Sequence, residues 1–182
     1  MVAALFASCD KNDETPDPAI PETADGARIA ITLTGASDTE TRAFFDTTAR
    51  AEAWESSLST LSVFAFDKGG TLIVRRDFTS AELTSKSATF ALPKSTAGTE
   101  CSFYAVANYD ASSAKTKAAL TALVENSAAA YNGTFAEVST AAKRSDGFVM
   151  SGFATKTVGA VNTTTSVGIT LKRTVAKVAA SD

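Results

Sequence analysis

The chain contains no histidine, and that single absence removes whole classes of chemistry. Ser-His-Asp and Cys-His catalysis, imidazole metal ligation and pH switching near neutrality all need a side chain that is not there. Only two cysteines occur, Cys9 and Cys101, so one disulfide is the ceiling and a zinc site built from two CxxC pairs is excluded. No metal or cofactor is expected. Positive charge has no surplus either: 17 Lys and Arg stand against 20 Asp and Glu, a net charge of −3. Without a positive field to hold phosphates, no nucleic-acid partner is expected. Large apolar side chains are scarcer than a hydrophobic content of 45% suggests, because 35 of the 182 residues are alanine. The length suits one domain with a modest core and a tail.

What is present begins with Met1 to Ser8 (MVAALFAS), small and apolar, after which composition flips at Cys9-Asp10-Lys11-Asn12-Asp13-Glu14. The apolar stretch is far short of the roughly 20 residues that a bilayer span needs. Phe6-Ala7-Ser8-Cys9 resembles a bacterial lipobox, in which the peptide is cut before the cysteine and the thiol carries a diacylglycerol. A basic n-region is missing, so residues 1–9 are read as a truncated lipoprotein signal ending in the lipobox cysteine. The alternative is a frayed terminus with an incidental cysteine. Lipidation of Cys9 leaves Cys101 unpaired, as a small buried hydrophobe. Residues 10–26 hold Pro16, Pro18 and Pro21, many acids and only Ile20 as a large apolar side chain, and are expected to be a disordered tether. The acidic run after Cys9 looks like the surface-export signal of Bacteroidetes lipoproteins; a solvated linker accounts for it nearly as well.

From residue 27 the pattern changes to that of a folded domain. In Arg28 to Thr34 the side chains of Ile29, Ile31 and Leu33 alternate with Arg28, Ala30, Thr32 and Thr34, the period-two signature of a half-buried strand. Ser62 to Asp67 and Thr71 to Phe78, joined by Lys68-Gly69-Gly70, read as a hairpin. Further strands are expected at Ala88 to Leu92, stopped by Pro93; at Cys101 to Ala107; at Gly147 to Ala154; and at Ser166 to Val178, as two strands or one long bent one. Ala119, Leu120, Leu123 and Val124 sit at helical spacing, which places one amphipathic helix over Ala111 to Asn126. Seven or so strands with a helical crossover argue for a β-sandwich.

An ordered set of segments carries a resemblance: Arg42-Ala43-Phe44; Leu61 to Phe66; Tyr104-Ala105-Val106-Ala107-Asn108; Gly147-Phe148-Val149-Met150-Ser151-Gly152; and Leu171 to Val178. Together they are similar to the N-terminal domain of the fimbrillin family, the lipoprotein pilins of Bacteroidales, over about residues 27–182. The expected fold is therefore mostly β, a transthyretin-like β-sandwich of about seven strands with one crossover helix. Family members carry a second β-sandwich after the last motif, so a C-terminal domain is expected to be absent, by fragmentation or by departure from the family pattern.

The resemblance also implies a function. A structural subunit of a bacterial surface fimbria is exported as a lipoprotein, then cut by an arginine-specific protease in the loop after the first strand, which matches Arg42 and Ala43. Arg50 is the rival cut site, and an ordinary solvated loop arginine is the plain reading of Arg42. The cut would displace the strand bearing Ile29, Ile31 and Leu33. A strand from another subunit would then fill the groove by donor-strand exchange. The implied partners are other fimbrial subunits, the processing protease and the outer membrane through the lipid on Cys9; the implied location is the outer membrane and the fimbrium. The alternative is a monomeric surface lipoprotein that binds glycans or proteins, because Trp54, Tyr104, Tyr109 and Tyr131 invite sugar stacking, although isolated aromatics are more often core residues. No acidic pair sits in a recognisable catalytic motif, and an enzyme is not expected.

Overall fold

The computed structural model describes residues 26–35, 57–127 and 147–174. Cys9, the tether, Arg42, Ala43, Arg50, Trp54, Tyr131 and the expected strand residues Val175 to Val178 lie outside the described residues. In chain order the elements are β1 (Ala27–Thr34), β2 (Leu61–Phe66), β3 (Leu72–Asp77), α1 (Ser80–Ser85), β4 (Ser87–Leu92), β5 (Glu100–Ala107), α2 (Lys117–Ser127), β6 (Met150–Thr157), β7 (Thr164–Thr170) and β8 (Lys172–Arg173). They form a three-stranded sheet in the order β4-β1-β7 and a five-stranded sheet in the order β3-β2-β5-β6-β8. The fold is a mostly β sandwich.

One apolar cluster fills the space between the sheets, drawing Ile29, Ile31 and Leu33 from β1 and Val63 and Phe103 from the opposite sheet. A second, smaller cluster lies on the outer face of the five-stranded sheet, where Phe64, Phe66 and Val106 meet Leu120 of α2. This double covering explains why β2 does not alternate. Leu61, Val63 and Ala65 enter the central core, while Phe64 and Phe66 enter the cluster under the helix, so the strand reads as a nearly continuous apolar run.

Local chemistry sets the boundaries. The β2–β3 hairpin closes on Asp67, whose carboxylate accepts the Thr71 amide at 2.8 Å, and on Gly70 at φ +82°, a conformation suited to glycine. Helix α2 starts at Lys117, not at Ala111 as expected. The Thr116 hydroxyl accepts the Ala119 amide at 3.2 Å, while the Lys117 amide is tied to Gly70 O at 2.9 Å and Leu72 N to Lys115 O at 3.2 Å. Those backbone bonds hold residues 115–117 against the hairpin, so the helix begins only at the last of them. Strand β6 runs Met150–Thr157, not Gly147 to Ala154: the ladder with β5 begins at Ala107↔Met150, because β5 ends at Ala107 and the next residue, Asn108, turns left-handed at φ 58°.

The last expected strand is one bent run split between sheets. β7 pairs parallel to β1, Leu171 marks the corner, and β8 pairs with Met150 and Ser151 of β6. Helix α1 was not anticipated, although its signal is plain. Thr79 and Glu82 form a capping box, with Glu82 N donating to Thr79 Oγ1 at 3.4 Å and Thr79 N donating to Glu82 Oε2 at 2.7 Å.

Candidate functional site

The alternation of β1 has a structural consequence that the sequence pattern did not contain: β1 is a middle strand. It pairs antiparallel with β4, from Ala27↔Leu92 to Thr32↔Ser87, and parallel with β7, from Arg28↔Thr164 to Thr34↔Thr170. The ends are held as well. Arg28 N donates to Thr163 O at 3.1 Å, Leu33 N to Lys86 O at 2.9 Å, and Leu171 N to Thr34 O at 2.9 Å.

The inward face of β1 consists of Ala27, Ile29, Ile31 and Leu33, none more than 3% exposed. Ile29 lies opposite Phe90, Ile31 opposite Ala88 and beside Val167, and Leu33 beside Ile169. The outward face carries Arg28, Thr32 and Thr34, all exposed. No charge points into the core from this strand. The slot therefore selects for alternating apolar side chains, with a small one at Ala27, and makes no demand on the outer face.

Removing β1 would have two effects. Burial of roughly 1.5–3 kcal/mol for each of Ile29, Ile31 and Leu33 would be forfeited, and β4 and β7 would each be left with an unpaired edge. The loss is comparable with the whole stability of a typical domain, about 5–15 kcal/mol. An emptied slot thus has a strong tendency to be refilled.

The sequence-predicted displaced strand of Ile29, Ile31 and Leu33 is brought together as one apolar surface, joined by Ala27, which the period-two reading had left out. Cys101 sits in the same core, 1% exposed and free of any disulfide. Burial pushes its thiol above the ordinary range; the charges of Asp67 and Glu100 add to this, and a hydrogen bond with Thr99 opposes it. Among the described residues, no group of three His, Cys, Asp or Glu could hold a metal ion.

A second residue, Asn108, organises the chain beside the slot. Asn108, 9% exposed, accepts from Ser59 N at 2.9 Å, Ser59 Oγ at 3.0 Å and Thr60 N at 3.4 Å. Its amide donates to Ser57 O at 2.7 Å and Phe148 O at 2.9 Å. One side chain thus ties the segment entering β2 to the end of β5 and the approach to β6. An asparagine just past a strand, before a bulky apolar residue, is the only local signal for it.

Fold and slot together define a class: a two-sheet β-sandwich whose first strand completes the core from the middle of the smaller sheet. The chain belongs to the major fimbrial subunit protein (FimA) family, whose model matches residues 27–179. No curated protein sequence matches it. Among solved structures, a candidate cell adhesion protein from Bacteroides eggerthii superimposes with a TM-score of 0.52 at 22% identity, over 82% of this chain and 40% of that one. A candidate cell adhesion protein from Parabacteroides distasonis gives 0.51 at 16% identity, over 83% and 46%. At these identities the likeness is one of fold. The chain spans less than half the length of either structure.

Proposed function

We propose that the chain is a structural subunit of a bacterial surface fimbria that matures by loss of its first strand. It is exported as a lipoprotein precursor anchored to the outer membrane through Cys9, cut after Arg42 by an arginine-specific protease, and joined to other fimbrial subunits by a strand that takes the place of β1. Residues 1–9 are the lipoprotein signal, 10–26 the tether and 27–182 the N-terminal sandwich domain. Its contribution to adhesion is indirect, through the polymer, and no catalytic group is required.

The observation that carries this reading is the topology of β1. A strand in the middle of a sheet contributes two ladders and one apolar row of the core, yet its covalent link to β2 runs wholly through the segment between Gly35 and Ser57. Arg42 and Arg50 both lie there. A cut at either arginine converts the closing of the sheet from an intramolecular event to a bimolecular one, so the strand loses its effective concentration and can be displaced. On the far side of the cut the remaining chain is still held at Ser57 to Thr60 by Asn108. Until the cut, β1 keeps the precursor from accepting another subunit.

The test is digestion of the purified chain with an arginine-specific protease, followed by intact mass and melting temperature. The expected product begins at Ala43, melts lower than the uncut chain once β1 is displaced, and recovers when a synthetic peptide of residues 27–34 is added. Arg42→Ala should block the product and Arg50→Ala should not. A chain cut between β1 and β2 that expels residues 27–34 yet melts unchanged, or that ignores the peptide, would sink the proposal.

A further inference from the structure

The outer face of the five-stranded sheet carries an aromatic row that the slot does not use. Phe64 of β2, Tyr104 of β5 and Phe153 of β6 are directly opposite one another in register across three adjacent strands. Their exposure changes sharply along the row. Phe64 is fully buried under α2, Tyr104 is half-buried, and Phe153 is 65% exposed, the sole large apolar side chain so exposed among the described residues.

Phe153 is not a loose side chain. Its ring stacks on Tyr104 with centroids 5.2 Å apart and planes 15° apart. Tyr104 is itself braced by the edge of Phe66 at 5.8 Å and by the Lys117 ammonium 5.4 Å from its centroid. One face of Phe153 is thereby fixed against the protein. Phe153 also borders a groove of about 510 Å³ between α2 and the β7–β8 corner, a size typical of small-molecule sites. Hydrogen-bonding groups line the same groove: Thr121 and Glu125 from the helix, Thr170 and Lys172 from the corner. Among the described residues neither Glu125 nor Lys172 takes part in an ion pair, so both keep their hydrogen-bonding capacity.

We propose that this groove is a carbohydrate-binding site, with Phe153 as the stacking platform and Glu125 and Lys172 as the hydroxyl-reading groups. The electron-rich face of an aromatic ring attracts polarised C–H bonds. A β-linked gluco- or galacto-configured disaccharide offers both a flat C–H face and a rim of hydroxyls. A carboxylate accepts from such hydroxyls and an ammonium donates to them, and both bonds are strengthened by charge. The preset ring plane lowers the ordering cost of binding. A protein partner fits less well, since a stable interface needs about 800 Å² per side and a cluster of aromatic anchors, and among the described residues a single large apolar side chain is exposed. The inference is independent of the fate of β1.

The experiment is a titration of the full chain with cellobiose and with lactose, followed by amide chemical shifts. Saturable shifts confined to residues around Phe153, with a Kd on the order of 1 mM, are expected for at least one of the two sugars. Phe153→Ala should abolish them while the rest of the amide spectrum keeps the folded pattern, Phe153→Trp should retain them, and Glu125→Gln should weaken binding several-fold. The proposal is overturned if neither sugar shifts these residues at about 20 mM, or if Phe153→Ala binds as the parent does. It is equally overturned if Phe153→Ala changes only the concentration dependence of self-association, which would make the ring a contact between copies of the chain.

Discussion

Asn108 shows how much a single side chain can organise. Five hydrogen bonds converge on it while its backbone sits at φ 58°, a region asparagine tolerates better than most residues. Asn108→Ala leaves two carbonyls and two amides without partners, the Phe148 carbonyl in a buried place and the others partly buried, and should destabilise the chain by about 2 kcal/mol in urea unfolding. Asn108→Asp keeps the acceptor but sets an anion against the carbonyls of Ser57 and Phe148, so it should also destabilise, and more at neutral pH than in acid. Cys101 makes a second prediction at this scale. Because the folded thiol titrates above its unfolded value, the unfolded chain loses its proton first as pH rises. The contribution of Cys101 to stability is therefore complete below the unfolded thiol pKa and is lost as pH rises through the folded value. Peptide mapping after iodoacetamide treatment at pH 8 should find Cys101 unmodified in the folded chain and modified in urea.

Among the elements, the β7–β8 run decides how the two sheets are joined. It leaves the three-stranded sheet at Thr170 and enters the five-stranded sheet at Lys172, and at this corner β6 passes so close that a Cβ on Gly152 would collide with the carbonyl oxygen of Thr170. Two substitutions separate packing from propensity. Gly152→Ala should cost about 2 kcal/mol because backbone must move. Gly168→Ala, on β7 with nothing within 4 Å of the added carbon, should be neutral or stabilising by a few tenths of a kcal/mol. Paired thermal melts read the difference. If the two variants melted alike, the corner would not be sterically tight.

Over the whole molecule the sandwich divides unequally. Three strands close a core that five strands frame, and the middle one of the three is joined to the next described strand through the residues between Gly35 and Ser57. Hydrogen exchange reads this division. In the uncut chain the amides of β1, β4 and β7 should be protected together. After cleavage between β1 and β2 and removal of the released strand, β4 and β7 should lose protection by at least about a hundredfold, while β2 and β5 retain most of theirs. Uniform loss would mean that the five-stranded sheet has no stability of its own; unchanged protection would mean that β1 does not hold the smaller sheet together.

Much of this was legible in the residues themselves. The period-two pattern of Ile29, Ile31 and Leu33, the glycine turn after Phe66 and the stop at Pro93 are local signals, written in side-chain alternation and backbone freedom, and the strands stand where those signals put them. The final run, expected from Ser166 as two strands or one long bent one, is two strands, β7 and β8, divided at Leu171. What no local signal carries is pairing. Alternation says that one face of β1 is buried but not whether the strand lies at an edge or in the middle, since both neighbours, Ser87–Leu92 and Thr164–Thr170, are remote in sequence. Alternation likewise cannot tell that the aromatic row runs out from beneath α2, leaving Tyr104 half-covered and Phe153 in the open. The sequence alone determined the strands, their buried faces and the family they resemble. Tertiary structure alone decided that the first strand fills a slot with two open flanks, because backbone hydrogen bonds between strands depend on who comes to lie beside whom.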